Sequence, residues 1–264
     1  MKHKFDQIRS LSLNRKTTVF STLILSFSMV ICCFVVTQSV VAQDILLQTG
    51  FEDFTVGAPP TDWSVRGEQI NVTGDTVKTG NKALGILGGA NDDRCGVAIE
   101  TENPIISVEF WVMITGAGRS FNLKVISDDD IGTNDGGVYM NWNENAVRLY
   151  NGSAWVAIAE FPFGSWRYVR VVADVSKSEF DYYVGKDRDE TLLAEPVSGL
   201  AFRKPATKPT VQWVAFHVYS SVAQGFVDDL LIYEGADPPV STPVESKGKL
   251  TTYWGKVKQH SSTQ

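Results

Sequence analysis

Ile105-Ile-Ser-Val-Glu-Phe-Trp-Val-Met-Ile114 is the stretch that decides the fold. Val108, Phe110, Val112 and Ile114 fall at every second position, with Glu109, Trp111 and Met113 between them. Successive side chains of an extended strand point to opposite faces, so this period of two separates an apolar face from a mixed one. The same sorting recurs outward along the chain. Phe121, Leu123 and Val125 oppose Asn122 and Lys124, and Val147 and Leu149 oppose Arg148 and Tyr150. Val169 and Val171 oppose Tyr168 and Arg170, while Val214, Phe216 and Val218 oppose Trp213, His217 and Tyr219. Further runs rich in Val, Ile, Phe, Tyr and Trp cover 137–142, 155–159, 180–184 and 226–233, separated by Gly, Asn, Asp and Pro clusters. Tyr150-Asn151-Gly152-Ser153 places Asn-Gly between two of them, a strong hairpin signal. No segment carries a sustained 3.6-residue apolar stripe. The pattern predicts an all-β protein: an antiparallel two-sheet β-sandwich of the jelly-roll kind, its core formed by the aliphatic faces.

The ends of the chain read differently. Lys2, Lys4, Arg9, Arg15 and Lys16 precede an uncharged stretch at 17–43, and Val40-Val41-Ala42 places small residues where a signal peptidase reads. Residues 1–42 therefore read as a secretory signal peptide, with an uncleaved anchor as the alternative for so long an apolar run. Residues 43–236 form the predicted domain. At 237–264, Pro238, Pro239 and Pro243 introduce an extended linker, followed by a short basic tail containing Tyr253 and Trp254. The leader carries five of the 24 Lys/Arg and one of the 30 Asp/Glu, so its removal moves the formal net charge from −6 to −10. Such a chain repels nucleic acid and anionic headgroups. The expected location is secreted or cell-surface, with no membrane partner after cleavage. Cys95 is the one cysteine beyond the leader, which leaves no intramolecular disulfide and reads as a small buried thiol.

The mixed faces suggest function. Trp111, Tyr139, Asn141, Arg148, Tyr150, Arg170, Trp213, His217 and Tyr219 combine rings with planar or charged hydrogen-bonding groups. Sugars stack their C–H faces on rings and need donors and acceptors for their hydroxyls, so these nine are the candidate ligand-binding residues. The competing reading is ordinary cross-strand pairing on an exposed sheet face.

Several stretches resemble the concanavalin A-like lectin/glucanase (laminin-G-like) domains of secreted bacterial proteins. The opening at 50–63, with Phe51-Glu52, Gly57, Pro60 and Trp63, resembles their first signature; Val77-Lys-Thr-Gly-Asn-Lys-Ala-Leu84 resembles the second. Trp166-Arg-Tyr-Val-Arg-Val171 and Gly225-Phe-Val-Asp-Asp-Leu-Leu-Ile-Tyr233 resemble a later strand and the closing strand. The resemblance implies the fold over about residues 44–235, and it implies a structural Ca²⁺. Glu52, Asp228 and Asp229 match the carboxylates that would bind the ion, with backbone oxygens near 78–81 as further ligands. The acidic loops at 91–93 and 128–135 lack EF-hand spacing and read as surface loops.

Catalysis is not expected. The glucanase E-x-D-x-x-E pattern is approached only at Glu179-Phe-Asp181-Tyr-Tyr-Val184, where valine replaces the last carboxylate. His217 is the one histidine between leader and tail, no nucleophile elbow is present, and His and Cys are too few for zinc. The reading is an exported carbohydrate-binding or adhesion module with a polysaccharide or glycan partner. A divergent glycoside hydrolase and a structural protein–protein interaction domain are the alternatives.

Overall fold

Alternation between apolar and mixed positions produces fifteen strands and one short helix among the described residues. The computed structural model describes residues 43–88, 93–115, 121–129, 131, 136–143, 145–151, 153–218 and 223–239. The predicted leader at 1–42, residues 240–264 of the predicted linker and tail, and Tyr219 lie outside them. In chain order the strands are β1 Ile45–Thr49, β2 Ser64–Arg66, β3 Ile70–Thr73, β4 Ala83–Leu87, β5 Asp93–Ala98, β6 Ile105–Thr115, β7 Phe121–Ile126 and β8 Gly137–Asn143. They continue with β9 Ala146–Tyr150, β10 Trp155–Glu160, β11 Arg167–Asp174, β12 Glu179–Gly185, β13 Val197–Ala201, β14 Trp213–Val218 and β15 Gln224–Glu234.

Two antiparallel sheets result. Sheet A runs β13-β12-β11-β6-β15-β4-β3, and sheet B runs β10-β9-β8-β7-β14-β5-β2. β1 joins sheet A on β15, beside the stretch Leu230–Tyr233, while β4 pairs with the other half of β15, from Gln224 to Val227. The junction falls at Asp228 and Asp229, where the pairing of β15 with β6 shifts register. This is a two-sheet β-sandwich, as the alternation requires.

The aliphatic faces meet in one core. Val108, Phe110, Val112 and Ile114 of sheet A pack with Leu123, Val125, Val214 and Phe216 of sheet B. Phe110 lies edge-on to Phe216 and Trp142 at 5.3 and 6.3 Å, and Phe121 stacks on Phe216 at 5.9 Å. Burial of such side chains contributes about 25 cal/mol per Å² of apolar surface, the main drive holding the sheets together.

One element departs from the strand-and-turn expectation. Residues Arg188–Leu193 form helix α1, capped by Asp187, whose carboxylate accepts the Glu190 N–H at 2.9 Å. Six residues are too few to show a periodic stripe, and the N-cap is the local cause.

Candidate functional site

The sandwich divides the nine candidate ligand residues. Trp111 on β6 and Arg170 on β11 lie on the outward face of sheet A, whereas Tyr139, Asn141, Arg148, Tyr150, Trp213 and His217 lie on the outward face of sheet B. Alternation assigns each side chain to the inside or the outside of its own sheet but does not say which sheet a strand joins. The expected single face is therefore two, on opposite sides of the core.

On sheet A the polar residues hold one another. Glu109 is fully buried and accepts from Tyr233 Oη at 2.6 Å, Tyr168 Oη at 2.9 Å and Arg188 Nε at 3.0 Å. Arg170 Nε stands 3.6 Å from the same carboxylate and donates to Tyr233 Oη at 3.1 Å. Burial, reinforced by the Glu109 charge, pushes the Tyr168 and Tyr233 hydroxyls far up, so both stay protonated donors. Trp111 packs edge-on against Tyr168 at 5.2 Å with Lys78 over its ring at 4.2 Å. These residues clamp α1 and the chain near Ala236 onto the sheet.

On sheet B a polar row crosses six strands in register: Arg66, Arg94, His217, Asn122, Asn141 and Arg148. Its centre is buried. Asn141 Nδ2 donates to Asn122 Oδ1 at 2.8 Å, and Asn122 Nδ2 donates to the His217 carbonyl at 3.0 Å. Ile131 packs over Ile126 and Ala215, with Trp213 against them, and its carbonyl accepts from Arg94. Trp213 and His217 thus serve a covered part of the face.

The open part lies toward β10. Tyr150 and Trp155 are cross-strand partners at 5.3 Å, and Tyr139 meets Trp155 edge-on at 5.1 Å. The Arg203 guanidinium lies 5.1 Å from the Tyr139 ring and 5.0 Å from the Tyr150 ring, while Lys124 approaches Tyr139 at 5.2 Å. Arg203 is brought there by backbone bonds: its N–H donates to the Gly137 carbonyl at 2.9 Å, and the Gly137 N–H donates to Lys204. At Gly137, with φ 143, a Cβ would stand 2.1 Å from the Val125 carbonyl oxygen, so only glycine allows this approach. Trp155 is 42% exposed. Neither Trp155 nor Arg203 is among the nine. Trp155 was legible as the residue opposite Tyr150 across the Asn-Gly turn; Arg203 belongs to a connecting segment, where no periodicity marks it.

Glu52, Asp228 and Asp229 all bind the 78–82 turn, beside the point where β15 passes from β4 to β1. Asp228 Oδ2 accepts the Lys78 and Thr79 N–H groups at 2.9 and 3.0 Å, and Asp229 Oδ2 accepts Thr79 Oγ1 at 2.8 Å. Glu52 Oε1 accepts the Asn81 and Lys82 N–H groups at 2.7 and 3.0 Å. Gly80, at φ 62, is required here because a Cβ would stand 2.2 Å from Glu52 Oε1. Lys82 Nζ donates to the carbonyls of Glu52 and Phe54 at 2.5 and 2.7 Å. Burial raises the Asp228 carboxyl against the lowering effect of the two backbone donors. Calcium needs six to eight converging oxygens. Here the 78–82 turn presents N–H groups to the carboxylates, and the Lys82 ammonium binds the neighbouring carbonyls of Glu52 and Phe54. The set fits a hydrogen-bonded clasp rather than a calcium cage, and no group of three or more potential metal-ligating side chains occurs among the described residues.

The other sequence candidates have bland surroundings. Lys208 pairs with Asp129 at 2.9 Å in the acidic loop after β7. Cys95 is buried in the core, which pushes its thiol far above the usual range and keeps it unreactive. Asp174, Glu179 and Asp181 line a small cavity of about 160 Å³ near the end of β12 on sheet A. There burial opposes ionisation of Asp174, but hydrogen bonds from Lys177 and Ser176 outweigh it and hold the carboxyl below its ordinary value.

No protein-family model and no curated protein sequence matches the chain. Its fold is similar to that of solved β-sandwich proteins. A sialidase matches at TM-score 0.54 and 12% identity over 73% of this chain, which spans only 18% of that protein. A conserved carbohydrate esterase from Shiga toxin-encoding bacteriophage phi24B matches at TM-score 0.50 and 12% identity, over 74% of this chain and 100% of that one. The Ca²⁺-bound exoplasmic/lumenal domain of VIP36 matches at TM-score 0.49 and 10% identity, over 75% and 93%. At such identities the likeness is one of fold, and function rests on the site. No helix among the described residues is long and apolar enough to cross a membrane.

Proposed function

We propose that the protein is an exported, non-catalytic carbohydrate-binding module whose sugar site is the aromatic platform at the β8–β10 end of sheet B. The observation that carries this reading is the half-exposed Trp155 ring, braced by Tyr139 and Tyr150 with Arg203 across both tyrosines. A fixed indole offers a flat apolar surface to the C–H face of a sugar, and adjacent guanidinium and phenol groups supply donors to its oxygens. Mutual packing of three rings holds the platform in place before the ligand arrives, which lowers the ordering cost of binding. Arginine stays charged at neutral pH and cannot shuttle protons, so these groups suit binding better than bond cleavage.

Affinity gels containing soluble polysaccharides test the reading. Retardation by at least one polymer is expected, weakened in Tyr150→Ala, and equal in Ca²⁺ and in EDTA because the clasp supplies its own cation in Lys82. Migration unaffected by every polymer would overturn it. The glycoside-hydrolase alternative draws on the three carboxylates around the sheet A cavity. Hydrolysis needs one carboxyl held protonated as the acid beside an ionised one; Asp174, held ionised by Lys177 and Ser176, could serve only as the base or nucleophile of such a pair. Release of reducing sugar, abolished by Asp181→Asn, would reverse the order of the two readings.

A further inference from the structure

We infer that the sugar recognised at the platform carries a carboxylate. The inference rests on the glycan-binding reading and adds the charge of the ligand. The outward positions of sheet B hold Arg66, Arg94, Lys124 and Arg148 against one carboxylate, Glu160, opposite Ala146 at the far end of β10 from Trp155. The opposite face carries Glu109, Glu179 and Asp181 with Arg170 and Arg188 against Glu109, in a chain with 30 acidic residues against 24 basic ones. The described strands of the platform's face thus carry an excess of basic side chains, which the opposite face does not.

Donor and acceptor accounting gives the same answer. Guanidinium and ammonium groups only donate, so a site built from them suits a ligand rich in acceptors. A neutral sugar brings as many hydroxyl donors as acceptors and would call for carboxylates or free amide oxygens in the site. The nearby Asn122 amide is committed at both ends, its oxygen to Asn141 Nδ2 and its nitrogen to the His217 carbonyl. Arg66, Arg94, Lys124 and Arg148 have interactions of their own, so their contribution is to the local potential. The direct contact is assigned to Arg203. Its position over the Tyr139 and Tyr150 rings, 5.1 and 5.0 Å from their centres, holds the guanidinium in place beside the exposed indole. Planar N–H pairs of arginine match the two oxygens of a carboxylate. With the leader removed the chain is net −10, so long-range attraction to a polyanion is absent and the selectivity must be local.

The test compares gels of polygalacturonate with gels of the same polymer after reduction of its carboxyl groups to neutral galactan, using the full chain at low ionic strength. The charged polymer should bind about tenfold more tightly, the worth of one charge-assisted contact. Arg203→Met should lose that preference, Arg203→Lys should keep part of it, and thermal melts of both confirm folding. Equal binding of the two polymers, still weakened by Trp155→Ala, would overturn this inference and leave the glycan reading standing. Retention of neither polymer, nor of any other, would overturn both. A preference unchanged in folded Arg203→Met would overturn the assignment to Arg203.

Discussion

Glu109 is a carboxylate without access to water, and its stability comes from three donors and a second arginine. A buried charge that loses its partner costs more than the pair gains, by about 3–5 kcal/mol. Glu109→Gln keeps the shape but leaves Arg170 and Arg188 uncompensated, and urea unfolding should show a loss of about 3 kcal/mol. Asp174 behaves in the opposite way at the surface. Its folded-state carboxyl titrates below the unfolded value, so its contribution is present above the unfolded value and is lost as pH falls through the folded one. Asp174→Asn should therefore be less stable than the wild type at neutral pH, and the gap should close as acid is added through the carboxylate range. Cys95 should resist a thiol reagent in the native state and react once the chain unfolds. At this scale the sequence was legible in part. Glu109 was recognisably on the non-core face of its strand, but its partner Arg188 sits on a one-and-a-half-turn helix that no periodicity announces.

β15 shows how one strand can serve two partners along a single edge. Its first half pairs with β4 and its second with β1, and the two acids at the seam hold the incoming turns. The Phe-Glu and Asp-Asp signatures were legible as residues that would meet, because both flank strands of clear alternation. Their partners were not. A backbone that turns its N–H groups toward carboxylates looks identical in sequence to one that turns its carbonyls toward a metal, and Lys82 reads as one more surface lysine. The clasp predicts that Lys82→Met lowers stability by about 1–2 kcal/mol, since two carbonyls lose a charged donor. It also predicts a melting temperature that is the same in excess EDTA and in added Ca²⁺. A rise with Ca²⁺ would show an ion binding the folded state and would restore the calcium reading.

Across the whole molecule, the two outward faces divide the labour. Sheet A spends its polar residues on fixing α1 and the last described residues, while sheet B leaves an indole half in water beside basic groups. The sandwich itself was legible because the long strands alternate cleanly, β15 alone breaking step at Asp228 and Asp229. The partition of strands between sheets was not, since β6 and β7 follow one another in sequence yet belong to different layers. For that reason Trp111, a candidate in sequence, and Trp155, which was not one, have different surroundings and different expected roles. Calorimetric titration of the polysaccharide retained most strongly, into Trp155→Ala and Trp111→Ala in parallel, separates the faces directly. Trp155→Ala should lose at least about tenfold in affinity, as for a central aromatic contact, and Trp111→Ala should bind as the wild type does. Undiminished binding by Trp155→Ala, with the loss falling on Trp111→Ala, would contradict this.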